Sequence, residues 1–454
     1  LVLQAIEGEL TRVEVVGDTR LRSNYLARRV SRRNSGVLNV ASLQSTLRWM
    51  QQDPNIERLD AELLPGIEAG ESLLRLSVDD PKRFSLDLIG DNYRAASLGA
   101  EAATVVFSAR NLSGYGERTQ LSLSTSDGSD ALSARVDIPV DSRNSRLGFF
   151  YSKSDAQIVE EQFEQLDIES EIEAFGVSLW RPVWETATQS FAVTLGFEKK
   201  YSESSLLGVP FSFSPGAQDG ESETATLEAG VEWALRNPRT ALALRASYRR
   251  GFHIFGATEL APDDDAAVAL NPTGADGEFG RYRLQGSAVR QLVTHPEKFG
   301  FGARLVAKAN AQISEDPLLS LEKLSIGGRY TVRGFRENTF VRDSGVALSV
   351  DLEWPLFGAG DEASWRKLAM VPFVDIGWSW DKENATPGAI DSNRSGRISS
   401  AGLGLLWQPL KGLRAELFWG ESVGDNRPSA SLGDTDYNLQ DDGLHFQVGY
   451  NYAF

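Results

Sequence analysis

Residues Gly443–Phe454 read GLHFQVGYNYAF and alternate without a break. Leu444, Phe446, Val448, Tyr450, Tyr452 and Phe454 fall on one face of an extended chain, and His445, Gln447, Gly449, Asn451 and Ala453 on the other. The segment before it sets Leu413, Ala415, Leu417 and Trp419 against Arg414 and Glu416. Residues 346–354 alternate Val, Leu, Val, Leu, Trp with Ala, Ser, Asp, Glu. Each predicted strand has one apolar face and one polar, often charged, face.

The pattern predicts sixteen strands at 83–90, 98–108, 118–126, 131–140, 145–154, 169–181, 189–201, 222–236, 240–253, 279–293, 298–313, 344–355, 368–380, 396–407, 412–421 and 443–454. Connections at 141–144, 237–239, 294–297 and 408–411 are tight, whereas those at 155–168, 203–221, 254–278, 314–343, 381–395 and 422–442 are long. Long and short fall on opposite ends, with three exceptions: 91–97 and 127–130 are short for the long side, and 356–367 is long for the short side. Trp354, Trp378, Trp380, Trp407, Trp419 and Tyr452 sit at strand ends, where a membrane interface places its aromatic girdles. An even strand number closes a barrel without free edges, which lipid does not tolerate. The predicted fold is therefore an all-β transmembrane barrel of sixteen antiparallel strands over 83–454, with oily outside and wet inside.

Residues 1–80 read differently. Thr11–Val16 alternates as a strand. Ser23–Ser31 is a short polar helix with Ser23 as N-cap, and Asn39–Met50 carries Val40, Leu43, Leu47 and Met50 at helical spacing. Glu57–Leu64 and Leu73–Val78 are two further strands. The order β-α-α-β-β predicts a small α+β domain, a three-stranded sheet carrying two helices.

Composition narrows the function. The chain has 454 residues, no cysteine, three histidines (His253, His295, His445) and a net charge of −17. Without thiolates or paired histidines no metal site is expected. The negative charge excludes a nucleic-acid partner. No run of about 18 apolar residues offers a membrane helix. Leu1–Gly8 lacks the features of a signal peptide, so an exported chain is expected to have lost its leader. No GxSxG and no P-loop occur, so neither enzyme activity nor a cofactor is expected. The acidic runs Asp263–Asp265 and Glu160–Glu161 read as solvated loops.

Two motifs carry more. Ser325–Phe335 reads SIGGRYTVRGF inside the longest predicted external loop, where Gly327 and Gly328 permit positive φ. Pro372–Gly377 reads PFVDIG on a predicted strand. There Met370, Val374, Ile376 and Trp378 share the apolar face, so Phe373, Asp375 and Gly377 face the lumen. An inward aspartate needs a partner. Arg333 supplies it if loop 314–343 folds into the lumen, because guanidinium and carboxylate pair bidentately. Gly377 would leave room for the loop.

At these residues the sequence resembles a superfamily of outer-membrane assembly insertases and two-partner secretion transporters. The shared pattern is Val332, Arg333, Gly334 and Phe335, followed by Phe373, Asp375 and Gly377. Leu64–Leu74, LPGIEAGESLL, resembles the stretch that closes the second POTRA domain of the secretion branch. Asp91–Asn92 with Gly99, and Asn111–Gly116 (NLSGYG), resemble its first barrel hairpin. One POTRA-like unit is legible, where that branch has two behind a pore-plugging helix. The resemblance implies a monomeric pore in the outer membrane with its POTRA domain in the periplasm. It would export a partner exoprotein with a β-helical N-terminal secretion domain, without ATP. It implies contact with lipid and lipopolysaccharide, and handling by the barrel assembly machinery, for which Phe454 would be part of the signal. An insertase of the same superfamily and a passive porin or receptor are the alternatives.

Overall fold

The computed structural model describes residues 7–259, 273–292, 302–358, 366–382, 395–424 and 437–454. The small domain runs β1 (Glu9–Val16), α1 (Ser23–Arg33), α2 (Val40–Met50), β2 (Arg58–Pro65) and β3 (Glu71–Asp79). Its sheet has the order β1-β3-β2, with β1–β3 parallel and β3–β2 antiparallel. Leu26, Val30, Leu43, Trp49 and Met50 of the helices pack on Leu59, Leu74, Leu76 and Val78. Asn39 caps α2 by accepting from the Ser42 N–H. Ser23 is not a cap: Arg22 occupies that position and makes no side-chain cap bond. Inside the domain Arg29 and Asp53 form a buried ion pair beneath Trp49. Burial pushes the Asp53 carboxyl up, but the charge and hydrogen bonds of Arg29 outweigh this and hold it below its usual range. Among the described residues the outer edge of β2 carries no further strand.

The barrel strands follow as β4 (Phe84–Asp91), β5 (Ala102–Arg110), β6 (Arg118–Ser126), β7 (Ser129–Pro139), β8 (Arg146–Gln157), β9 (Ile168–Glu185) and β10 (Gln189–Leu206). A two-residue β11 (Val209–Pro210) extends β10. Next come β12 (Glu221–Asn237), β13 (Thr240–Gly251), β14 (Gly280–Gln291) and β15 (Arg304–Ser314). A hairpin of β16 (Leu324–Ile326) and β17 (Phe340–Arg342) lies outside the barrel sheet. The wall resumes with β18 (Ser344–Gly358), β19 (Lys367–Trp380), β20 (Ser395–Leu410), β21 (Leu413–Ser422) and β22 (Leu444–Ala453). Sixteen strands close by pairing β22 with β4.

The small domain grips one end of the barrel, at the short turns. The Arg22 N–H donates to Gly114 O (2.9 Å), and the Asn55 side chain to Gly116 O (3.1 Å). Arg32 reaches Ser142 (3.2 Å) and Arg33 reaches Glu185 O (3.0 Å). Thus NLSGYG is the near-end turn on which the small domain rests. Outward aromatics mark two levels: Trp354, Trp407 and Tyr452 towards this end, and Trp378, Trp380 and Trp419 towards the far end.

The wall is uneven. Pairing of β9 with β10 runs from Glu185↔Ser190 to Ile168↔Leu206, well beyond the predicted ends at 181 and 201. Above the apolar band the outward face of these strands turns from apolar to polar (Glu171, Glu173, Tyr201, Glu203), so alternation fades while the ladder continues. The closing seam is much shorter, from Gln447↔Asp91 to Ala453↔Ser85. Phe454 extends it by exchanging backbone hydrogen bonds with Phe84 (2.9 and 3.2 Å) and setting its ring at a tilt against that of Phe84.

Candidate functional site: a loop seated in the lumen

Strand alternation puts Phe373, Asp375 and Gly377 of β19 inside, beside Ser349 and Asp351 of β18 and Ser400 of β20. The connection 315–343 returns into this space as the β16–β17 hairpin; Ser314, assigned above to the loop, ends β15. Gly327 (φ 120°) and Gly328 (φ 91°) turn the chain at the hairpin's end. The Gly327 N–H donates to Thr331 Oγ1 (2.8 Å), and Gly328 N–H to Val332 O (3.0 Å). A side chain at 328 would be strained by the positive φ, and its Cβ would also displace the Glu337 carboxylate, 2.0 Å away.

Arg333 is the centre. Its backbone N–H donates to Asp375 Oδ2 (3.0 Å), its Nε to the same oxygen (2.7 Å) and its NH2 to Oδ1 (2.7 Å). The same NH2 reaches Ser349 Oγ (2.9 Å) and Asp351. The guanidinium lies 3.6 Å from the Phe373 ring centre and 5.0 Å from that of Phe418. All these groups are buried, so the pair acts in a weakly screened setting where fork geometry and stacking both count. One cation thus serves two carboxylates on adjacent strands.

The neighbours of Arg333 complete the seat. Val332 and Phe335 join Leu324, Ile326, Ala347 and Ile398 in an apolar cluster within the lumen. A Cβ at Gly377 would come within 2.6 Å of Ile326 and 3.0 Å of Val332, so this glycine makes the room the loop needs. Gly334 (φ 85°) lies against the backbone of Gly420, with Gly443 alongside. Arg329 pairs with Glu416 (2.9 Å) and stacks on Phe418 (4.0 Å). Arg336 pairs with Asp441, and the Glu337 N–H donates to Gln440 (2.9 Å). Burial pushes the Glu337 carboxyl up to about 7, against the hydrogen bond from the Arg329 N–H and the Arg329 charge.

The sequence reading named Arg333, Asp375 and the glycines at 327, 328, 334 and 377. It did not find Asp351, Ser349, Phe418, Gly420 or Glu322. Glu322 lies at the loop's root with its carboxylate fully buried among Lys200 (2.8 Å), Arg281 (2.7 Å) and Arg249 (3.5 Å). The only signal for it was a charged residue eleven positions before Arg333. Beside the loop a cavity of about 640 Å³ remains, lined by Trp180, Trp233, Arg245, Lys308, Tyr330 and Ser349. Among the described residues no group of carboxylates and histidines fits a metal ion. Asp263–Asp265 and His295 lie outside the described residues.

A barrel with an inward loop held by an Arg–Asp fork beside an open cavity narrows the kinship, and a family profile decides it. The description "Haemolysin secretion/activation protein ShlB/FhaC/HecB" matches residues 70–405. The chain belongs to this family. It is a β-barrel of the outer membrane. Curated members include the outer membrane transporter CdiB of Dickeya dadantii (strain 3937), 22% identical over 78% of this chain and 60% of its own length. The hemolysin transporter protein HpmB of Proteus mirabilis is 24% identical over the same shares. The chain thus spans about 60% of the length of these ShlB/FhaC/HecB relatives. Among solved structures, CdiB from Escherichia coli superposes with a TM-score of 0.74 at 19% identity, covering 98% of this chain and 77% of that one. BamA from Haemophilus ducreyi, lacking POTRA domains 1–3, gives 0.61 at 13%, covering 98% and 85%. These structures share the fold.

Proposed function

We propose that this protein is the outer-membrane translocator of a two-partner secretion system, exporting a large exoprotein from periplasm to cell surface. The observation that carries this reading is the cavity of mixed polar and apolar lining left beside the pinned loop, on the side of the barrel next to the small domain. Residues 1–80 are a POTRA domain in the periplasm, docked on turn 111–117. The open edge of β2 suits an unfolded chain, which adds to a sheet edge through backbone hydrogen bonds. The lumen then conducts the chain outward, and folding of a β-helical cargo outside biases the motion without ATP. Arg333 on Asp375 fixes the loop, Phe454 is part of the signal read during barrel assembly, and the protein works as a monomer in contact with lipid and lipopolysaccharide.

The test is reconstitution. Proteoliposomes bearing the full-length protein should import, from an unfolded state, a large exoprotein carrying its N-terminal secretion domain, and a porin barrel should not. Uptake that ignores removal of that secretion domain would refute a dedicated translocator.

A further inference from the structure

Among the loop's fastenings to the wall, those at Arg333 and at Glu322 differ in what they leave behind when broken. At the tip, Arg333 is the only cation paired with Asp375 and Asp351 among the described residues. Unseating it strands two buried carboxylates, and the backbone of Gly334 is locked against Gly420 as well. At the root, Glu322 faces the inward side chains of β10, β13 and β14. Lys200 donates to its carboxylate and to Leu321 O (3.2 Å), and Arg281 donates through Nε (3.1 Å) and NH2 (2.7 Å). Burial pushes the Glu322 carboxyl up, and the charges of Lys200, Arg249 and Arg281 outweigh it and hold it down to about 2. These cations have other partners. Lys200 also meets Glu198 (3.2 Å), Arg249 meets Glu198 (2.5 Å) and Glu228 (2.9 Å), and Arg281 donates to Gln312 (2.7 Å). Losing Glu322 therefore leaves Lys200 and Arg249 with carboxylate partners and Arg281 with the Gln312 amide, which lowers the penalty of uncovered buried charge at two of the three cations.

The root also lies where a gate belongs. Leu318 and Leu319 are buried at the external ends of the strands, and Leu319 lies with Ala275 around Gly216, so three external connections meet there. Lys323 pairs with Asp343 (2.7 Å), tying the outgoing and returning legs of the hairpin together, and with Asp381 (3.4 Å) just beyond β19.

We propose that Glu322 is the lock of an external gate: its clamp on Lys200, Arg249 and Arg281 holds the loop root across the outer end of the lumen, and opening breaks this clamp while Arg333 stays seated as the pivot. The proposal rests on the protein being a translocation pore.

Single-channel recording of the purified full chain in planar bilayers tests it. Glu322→Gln keeps the shape and removes the charge. The occupancy of the large-conductance state should rise about tenfold, the shift that ~1.4 kcal/mol produces. Lys200→Gln, made in the wall, should shift it the same way by less. Folding of each is checked by heat-modifiable gel mobility. The chain has no native cysteine, so a Glu322→Cys, Arg281→Cys pair bridged by a short bis-maleimide should close the channel again. Wild-type occupancy in both Gln variants, a bridged pair that stays open, or failure of both variants to insert would each overturn the lock. The underlying reading fails separately: an exoprotein ignored by the wild type, with Glu322→Gln still opening the pore, refutes the translocator and leaves the gate.

Discussion

The backbone of Gly334 lies directly on that of Gly420: a Cβ on the first would meet Gly420 O at 2.6 Å, and one on the second would meet Gly334 N at 2.9 Å. At this point the loop tip meets β21 main chain to main chain, beside the side-chain contacts of Arg329 with Glu416 and Phe418. Gly420→Ala leaves Arg333 and Asp375 intact yet forces the tip off its seat, at about 1–3 kcal/mol, the usual penalty of overpacking. Barrel insertion should be normal, and protease cleavage within 327–339 should increase. Cleavage at the wild-type rate would show that β21 is not part of the seat.

Removing the two partners of the fork should have unequal effects. Arg333→Ala leaves Asp375 and Asp351 buried on adjacent strands without their cation. The cost is about 3–5 kcal/mol for an uncompensated buried charge. Asp375→Ala leaves Arg333 with Asp351, Ser349 and the Phe373 face. We therefore expect exoprotein secretion to fall more in Arg333→Ala than in Asp375→Ala, and the double variant to be milder than the sum. Equal, additive losses would argue that Asp351 takes no part.

What was legible in the sequence follows from what strand alternation encodes. Periodicity fixes the face of a residue once its strand is known, so Asp375 and Gly377 could be placed in the lumen, and an inward aspartate demanded a cation. It does not say which neighbour lies beside it: Asp351 is a partner only because β18 pairs in the register Ser349↔Asp375 and Asp351↔Phe373. Gly420 and Glu322 were hidden for a different reason. Each meets its partners only because 315–343 folds into the lumen, and a lone glycine or glutamate has no local pattern. The small domain shows the same division. Its helices were plain from spacing, whereas Ser23 looked like a cap and proved to be the first helical residue. The role of NLSGYG as a docking turn needed Asn55 and Arg22 in place.

The loop should respond to pH through Glu337. Seated, its carboxyl is pushed up to about 7 by burial; released into water it returns to its ordinary 4.5. Between those values the seated form holds a proton that the released form gives up. Seating is fully supported below 4.5 and loses support as the pH rises through 7. A spin label at Tyr330→Cys, an exposed position on the hairpin, should become more mobile between mildly acidic and mildly alkaline buffer. Glu337→Gln should abolish that dependence. Greater mobility on the acidic side would mean that another group governs the loop.

The short seam is extended by a side chain. Beyond the last β4–β22 pair the buried Asn92 accepts from the Phe446 N–H (2.8 Å) and donates to Leu444 O (2.9 Å), continuing the ladder where the strand has ended. Gln440 donates to Asn92 O (2.7 Å) and Arg94 O (2.8 Å), and accepts from the Glu337 N–H of the loop (2.9 Å). Seam and loop tip are therefore joined through one amide. Asn92→Ala removes both ladder bonds and leaves the Phe446 N–H without its partner, a loss of about 1–3 kcal/mol. Amide exchange at Phe446 and at Glu337 should both accelerate, while exchange along β9 and β10, whose ladder is far longer, stays unchanged. Acceleration at Phe446 with none at Glu337 would mean that Gln440 merely touches the two elements and does not couple them.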